Sequence, residues 1–435
     1  MCKILKTVIV LSATMLFQQS YAQTLSLNDA INIALKNSLD VQLVKNDIEV
    51  ATISNTYGFA GGLPLVTGNI ADNEQVTSVN QKLNTGTTIQ RNNAAANNLS
   101  ANVTGSIILF NGGRIVATKQ RLAALQTQST TRLTSQVQNI MAAVLTSYYD
   151  VVRQQQYIKT IDLSIEASNQ QLSIVKTRQS VGLANNADLF QAQIDLNALL
   201  QSKQAQALVV NQAKTGLLRL LTLNPDSAIN IIDTILVDKM PIDLNTIKSN
   251  IPKSADVVAA DDQIKINQLI VKETNAQRYP TIRANTGYNF TRNQAAAGQL
   301  LLNQNYGPTV GVSVAIPIFN GNIFKKQVQI ANVNVRNATI QKEILLRDLD
   351  AAVSTQYQAY ITATQQLEKE KENYQLSAQL LQLVLQRFQL KQATIVDVKN
   401  AQQSFEQTGY RLTNVSYAAK AAEIELKRIS NQLSL

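Results

Sequence analysis

Ile108-Leu109-Phe110-Asn111-Gly112-Gly113 leads into about seventy residues of helical pattern that hold no proline and end on Val181-Gly182-Leu183 and Asp188. The chain writes this stretch twice. Adding 209 carries Phe110, Asn111 and Gly112 onto Phe319, Asn320 and Gly321, Tyr148 onto Tyr357, Leu172 onto Leu381, Arg178 onto Arg387 and Asp188 onto Asp397. The offset still holds at Leu217 and Arg219, which map onto Leu426 and Arg428. A constant offset over so long a span fixes the helix lengths and both turns, which loops tolerant of insertion do not require. A helix of about 70 residues at 1.5 Å per residue spans about 100 Å, so the length itself points to a gap that must be bridged.

Working outward, the N-terminal side begins with Lys3 and Lys6, an apolar run from Thr7 to Phe17, and Ser20-Tyr21-Ala22, the pattern of a secretory signal expected over residues 1–22. No later stretch offers the 18 to 20 apolar residues or so of a spanning helix. The single cysteine, Cys2, lies within the expected signal, and the chain has no histidine and no tryptophan. Zinc sites, thiol nucleophiles and histidine triads are thereby removed. Paired carboxylates remain as a route to hydrolysis, but long polar-flanked helices give little reason to expect a pocket, and the expectation is a non-enzyme without metal or cofactor. The net charge of +10 is spread singly along helices rather than gathered in a patch, which argues for a solvated face and against nucleic acid.

The first repeat is expected over 23–222. It begins with a helical segment, Leu25 to Tyr57, capped by Ser26 or Asn28 and ended by Gly58 and Gly61-Gly62-Leu63-Pro64. Two strands follow at about 65–110, with a polar hairpin loop near 81–98, and then the long helical hairpin 113–222. A proline-bearing linker, 223–253, is expected to form a small side domain. The second repeat, 254–435, has a helix to about Ala276, strands within 281–319 joined by a loop near 293–305, and a hairpin over 322–433. Pro64 and Pro280 are both expected to open strands.

The strands alternate. Ile282, Ala284, Thr286, Tyr288 and Phe290 share one face, as do Val310, Val312, Val314, Ile316 and Ile318, against small or polar residues between them. A soluble sandwich and a membrane barrel both produce this period of two. Strands of 11 to 13 residues are slightly longer than the ~9 to 11 of a tilted membrane strand, with Tyr288, Phe290, Tyr306, Phe319 and Phe110 near strand ends. Four strands cannot close a barrel, since the smallest common ones use about eight; several chains would have to share one. On the long helices Val137, Ile140, Val144, Tyr148 and Val151 step by three and four, as do Leu349, Val353, Gln356 and Tyr360 with one polar interruption. Such a narrow apolar seam needs neighbours, as in a wall of helices.

At the repeated turn, Thr394-Ile395-Val396-Asp397 has capping-box spacing and Asn185 stands three before Asp188, so both acids read first as helix caps. A second reading places them around the end of a pore, where a ring of carboxylates favours cations. Val181-Gly182-Leu183 is either a plain turn or an apolar tip suited to a partner's helices. Arg178 and Arg387 either pair across hairpins or favour a helix C-terminus.

Two copies of the strand-to-helix motif (Phe110-Asn111-Gly112-Gly113 and Phe319-Asn320-Gly321) and two copies of the tip, in this order behind a signal, resemble the TolC-type outer-membrane efflux family over essentially the whole mature length. The resemblance implies a homotrimer with a shared 12-stranded membrane barrel, four strands per chain, and a helical cylinder through the periplasm. It also implies a periplasmic adaptor and an inner-membrane pump as partners, outer-membrane lipid around the barrel, and a passive exit duct for efflux or type I secretion. By that resemblance Asp188 and Asp397 match acidic aperture positions. Arg178, Val181, Gly182, Leu183, Arg387 and Leu390 match the adaptor-docking tip. The sequence departs from the family at Phe388 and Ala393, where an aromatic hydroxyl and an arginine are usual, at Asn400, a second acidic position, and at Lys391 in place of glycine. The competing expectation is a periplasmic coiled-coil adaptor or scaffold without a barrel.

Overall fold

The computed structural model describes residues 23–237, 243–298 and 300–433. The expected signal over 1–22 and Pro241 of the linker lie outside them. In chain order the elements are β1 (Gln23–Thr24), α1 (Leu27–Asn37), α2 (Leu39–Ser54), β2 (Leu65–Lys82), β3 (Thr88–Phe110), α3 (Arg114–Ser180) and α4 (Asn186–Leu220). There follow β4 (Ile229–Asn230), α5 (Leu244–Asn250), a 3-10 turn (Ile251–Lys253), α6 (Ala255–Ala276), β5 (Thr281–Ala295), β6 (Leu302–Ala315), α7 (Ile323–Gln389) and α8 (Ile395–Ile429).

The duplication holds residue by residue along the hairpins. α3 and α7 are each 67 residues, α4 and α8 each 35, and every boundary recurs at the offset of 209. The left-handed residues recur too: Gly112 with Gly321, Gly113 with Asn322, Gly182 with Lys391 and Thr222 with Asn431, all at φ between 54° and 80°. At three of these four pairs one or both copies carry a non-glycine residue, so the surrounding helices impose the conformation even where the side chain disfavours it.

Two compact units divide the chain, one from residues 46–130 and 259–343 and one from the remainder. The second is packed around the equivalent apolar steps of the long helices. Val144, Tyr148 and Val151 are buried with Leu217 and Leu221, while Leu349, Val353 and Tyr360 are buried with Leu426 and Ile429. Linker residues Ile229, Ile231, Ile247 and Ile251 enter these clusters, and Tyr148 donates through its hydroxyl to Leu25 O at 3.0 Å and Asp233 Oδ2 at 2.5 Å. The described linker is therefore stitched into the helical core, and β1 pairs in parallel with β4 inside it.

The first unit carries a four-stranded antiparallel sheet in the order β2-β3-β5-β6. Both prolines stand just before their strands, as expected. Three local expectations change. The segment from Leu25 is two helices, because Ser38 leaves helical geometry (ψ 123°) and its Oγ accepts from Val41 N at 3.3 Å, capping α2. The polar segments near 81–98 and 293–305 are mostly strand, with only 83–87, 296–298 and 300–301 outside strands among the described residues, and the strands are 18, 23, 15 and 14 residues long. Asparagine disfavours an ordinary strand, yet here it finds partners across the ladder, with Asn69 Nδ2 donating to Asn102 Oδ1 at 3.1 Å and Asn97 Nδ2 to Asp72 and Glu74. As a result Tyr288, Phe290 and Tyr306 lie inside strands rather than at their ends.

Candidate functional site

Register sorts the sheet into two faces. One carries the rows Ile107–Ala284–Val312, Gly105–Thr286–Val310 with Val66, Val103–Tyr288–Pro308, and Ala101–Phe290–Tyr306 with Ile70. The next row, Asp72–Leu99–Arg292–Gln304, is where charge begins. From Tyr306 to Val314 the apolar face runs about 27 Å along the strand, or about 21 Å at a 40° tilt, close to the ~25 Å apolar band of an outer-membrane barrel. No described residue covers it: Val310 is 87% exposed and Ile318 beyond the strand 93%. A bare apolar face of this size needs a hydrocarbon or protein neighbour.

The opposite face is polar and almost uncharged. Asn73, Asn98, Asn293 and Asn303 stand in one cross-strand row, and Asn69, Asn102 and Asn289 in another. In the row beyond Asn69 and Asn102 the hydroxyls of Thr67 and Thr104 pair, 3.0 Å apart. β2 and β6 are sheet edges without a partner strand among the described residues. Long unpaired edges call for further strands.

At the helical tip both turns close by the same hydrogen bonds. Leu183 N donates to Arg178 O at 2.7 Å and Gln392 N to Arg387 O at 2.8 Å, with Gly182 and Lys391 left-handed. Val181, Leu183 and Leu390 are exposed, so the tip presents apolar side chains to solvent. Asp397 completes a capping box, accepting from Thr394 N at 2.7 Å and Thr394 Oγ1 at 2.8 Å. Those bonds, helped by the charge of Arg387, hold its carboxyl below the usual carboxylate range. Asp188 differs: Asn185 Oδ1 accepts from its backbone N at 2.8 Å, while its carboxylate has no hydrogen-bond partner among the described residues. The cap expected of both acids is therefore made by side chain only at Asp397.

A groove of about 370 Å³ brings together Arg387, Ala393, Asp397 and Asn400. Phe388 is placed elsewhere. It lacks a hydroxyl, so it is buried with Leu172, Val175, Leu196 and Val398, and Arg178 stacks on it with the guanidinium carbon 4.4 Å from the ring centre while donating to Phe388 O. Arg178 thus ties α3 to α7, one of the two roles open for it; Arg387 instead caps its own helix end at Gln392 O, 3.2 Å away.

A second tie, Lys399 Nζ to Asp195 Oδ1 at 2.8 Å, joins α8 to α4, with the Asp195 side chain only 13% exposed. Sequence reasoning missed it because the duplication does not repeat it: the equivalent positions are Phe190 and Ser404.

Comparison with known proteins covers both repeats. The profile of the family described as outer membrane efflux protein matches residues 30–223 and 248–432. The outer membrane protein TolC of Escherichia coli is 23% identical, with 77% of this chain and 69% of that protein aligned. An uncharacterized protein of Haemophilus influenzae is 26% identical over 58% of this chain, and the chain spans just over half, 55%, of that relative's length. Among solved structures, the CmeC outer membrane channel of Campylobacter jejuni superposes with a TM-score of 0.78 at 16% identity, covering 93% of this chain and 85% of that one. At that identity the likeness is one of fold.

Proposed function

Since the chain belongs to the outer membrane efflux protein family, we propose that it is the outer-membrane exit duct of a tripartite efflux or type I secretion system. Three copies, each giving four strands, close one barrel of twelve; the long hairpins line up as a hollow wall through the periplasm. The observation that carries this reading is the sheet itself, with one bare apolar face at membrane height, one uncharged polar face and two open edges. A soluble adaptor or scaffold would have to hide that apolar face, and none of the described residues does. Family and fold are those of passive channels, so energy comes from an inner-membrane pump.

The exposed Val181-Gly182-Leu183 turn, with Arg178, Arg387 and Leu390 beside it, is the surface offered to a periplasmic adaptor. Asp397, Asn400 and Ala393 line the periplasmic aperture, with Asp188 on the neighbouring turn. One acid where the family has two makes a thinner ring, and the Arg178–Phe388 and Lys399–Asp195 ties stand where the family's hydroxyl and arginine ties are missing. Heat-modifiable oligomers recovered from outer-membrane fractions test the duct, and a freely soluble mature protein overturns it. In planar bilayers Asp397→Asn is expected to lower cation preference; unchanged selectivity removes Asp397 from the constriction.

A further inference from the structure

The first strand-to-helix junction contains a pocket that the duct does not explain. It has a volume of about 510 Å³ and lies where β5 begins and β6 ends, beside the start of α3, with Asn111, Arg114, Tyr279, Ile316, Pro317 and Phe324 in its lining. Asn111 is 5% exposed, and its Nδ2 is a buried donor with no partner. The orientation of the amide is settled by its other end, since Oδ1 accepts from Ile115 N at 3.3 Å. A buried NH₂ left without an acceptor is costly and marks a place for one.

Arg114 is the second sign. It is the first residue of a 67-residue helix with no acid in its first turn, so its charge sits at the positive end of the helix dipole, the wrong end for a cation. It is half-buried and has no ion-pair partner among the described residues. Nor is an acid close in sequence: none occurs between Glu74 and Asp150, or between Glu273 and Glu343, while Arg278, Lys325 and Lys326 flank the pocket's elements. No residue lining the pocket carries a negative charge. Buried donor and unpaired guanidinium ask for the same thing, an anion.

The apolar part of the wall says what carries the anion. Ile316, Pro317, Phe324 and Tyr279 lie beside the donors, and Ile316 and Ile318 continue the bare face of the sheet. We propose that this pocket binds a phosphate anion, carried by the headgroup of an anionic membrane lipid whose chains lie along Ile316 and Ile318. The site rests on the membrane reading of the sheet. It occurs once per chain: the second junction keeps Asn320 and Gly321 but has Ile323 in place of Arg114.

The detergent-purified oligomer, delipidated and then offered dioleoyl-phosphatidylglycerol or dioleoyl-phosphatidylcholine, gives the test by native mass spectrometry. Wild type is expected to retain phosphatidylglycerol preferentially, and Arg114→Gln to retain it about fivefold less, in line with one cation at a lipid surface. Removing a cation from a helix N-terminus does not threaten folding, and oligomer yield checks that. Lys326→Gln removes the same charge from outside the pocket and is expected to leave retention unchanged.

Inorganic phosphate, titrated alone by calorimetry, separates the sources. Binding of phosphatidylglycerol without measurable phosphate binding supports the lipid; phosphate binding that Arg114→Gln abolishes, without a lipid preference, overturns the lipid as carrier. Equal phosphatidylglycerol retention by wild type and Arg114→Gln overturns the site. A wild type that yields no membrane oligomer fails the duct itself, whereas an intact oligomer indifferent to phosphatidylglycerol fails this inference alone.

Discussion

Gly112 and Gly321 occupy equivalent places in the two strand-to-helix junctions, at φ +69° and +67°, but their surroundings differ. A Cβ on Gly112 would come within 2.7 Å of both Ala276 O and Tyr279 Cβ, and one on Gly321 would meet nothing within 4 Å. The first junction is therefore closed down onto the end of α6 and the second is open. Duplication preserved the backbone path while the two copies diverged in what surrounds it. The crowded copy packs, with a charged pocket beside it, and the open copy leaves Ile318 and Phe319 bare.

The largest expected effect follows from that contrast. Gly112→Ala combines left-handed strain with a backbone clash and is expected to cost about 3 kcal/mol or more, enough to reduce assembled oligomer; Gly321→Ala carries the strain alone, about 1 kcal/mol. Thermal dissociation of the oligomer on semi-native gels compares the two, and equal losses would mean that the first junction yields.

The tips offer a middle-sized test with a change of sign. Lys391 is held at φ +62° where the first copy has Gly182 at +73°. Lys391→Gly is expected to stabilise by about 1 kcal/mol and Gly182→Lys to destabilise by a similar amount, read by thermal melting. If both variants destabilise, Lys391 makes contacts that outweigh its backbone strain.

The smallest effect separates the caps. Thr394→Ala is expected to cost about 1 kcal/mol, and Asn185→Ala about as much. Their pH behaviour differs. Asp397's carboxyl is held below its ordinary value, so its contribution is complete above the unfolded value of about 4 and is lost as pH falls through the folded one. The amide of Asn185 does not titrate. With the pH dependence of the intrinsic exchange rate divided out, amide protection at the first turn of α8 should therefore fall in acid before that of α4, and equal loss at both tips would detach Asp397 from the cap.

These contrasts show where sequence reasoning reached and where it stopped. The helix lengths, the turns, the Thr394–Asp397 box and the strand-opening prolines were legible because each depends on residues within about four positions of one another. Ser38 was not read as a break, since its cap competes with a helix-compatible stretch on either side. The hairpin tips were read as loops because asparagine lacks strand propensity; only cross-strand partners such as Asn97 with Asp72 and Glu74 make them strand. Phe388 could be matched to an aperture by position, yet its burial under Arg178 depends on a helix 210 residues away.

Taken alone, the sequence determined the duplicated frame, because periodicity, capping and the demand for positive φ are local and repeat whenever the local residues repeat. What only the tertiary structure decided is which of the repeated surfaces are sealed and which stay bare: the lone Arg114, the orphaned Asn111 amide, the Asp195–Lys399 tie and the uncovered face of the sheet. Packing joins residues distant in the chain, and a difference of one side chain between two copies changes the neighbours of both without changing either backbone.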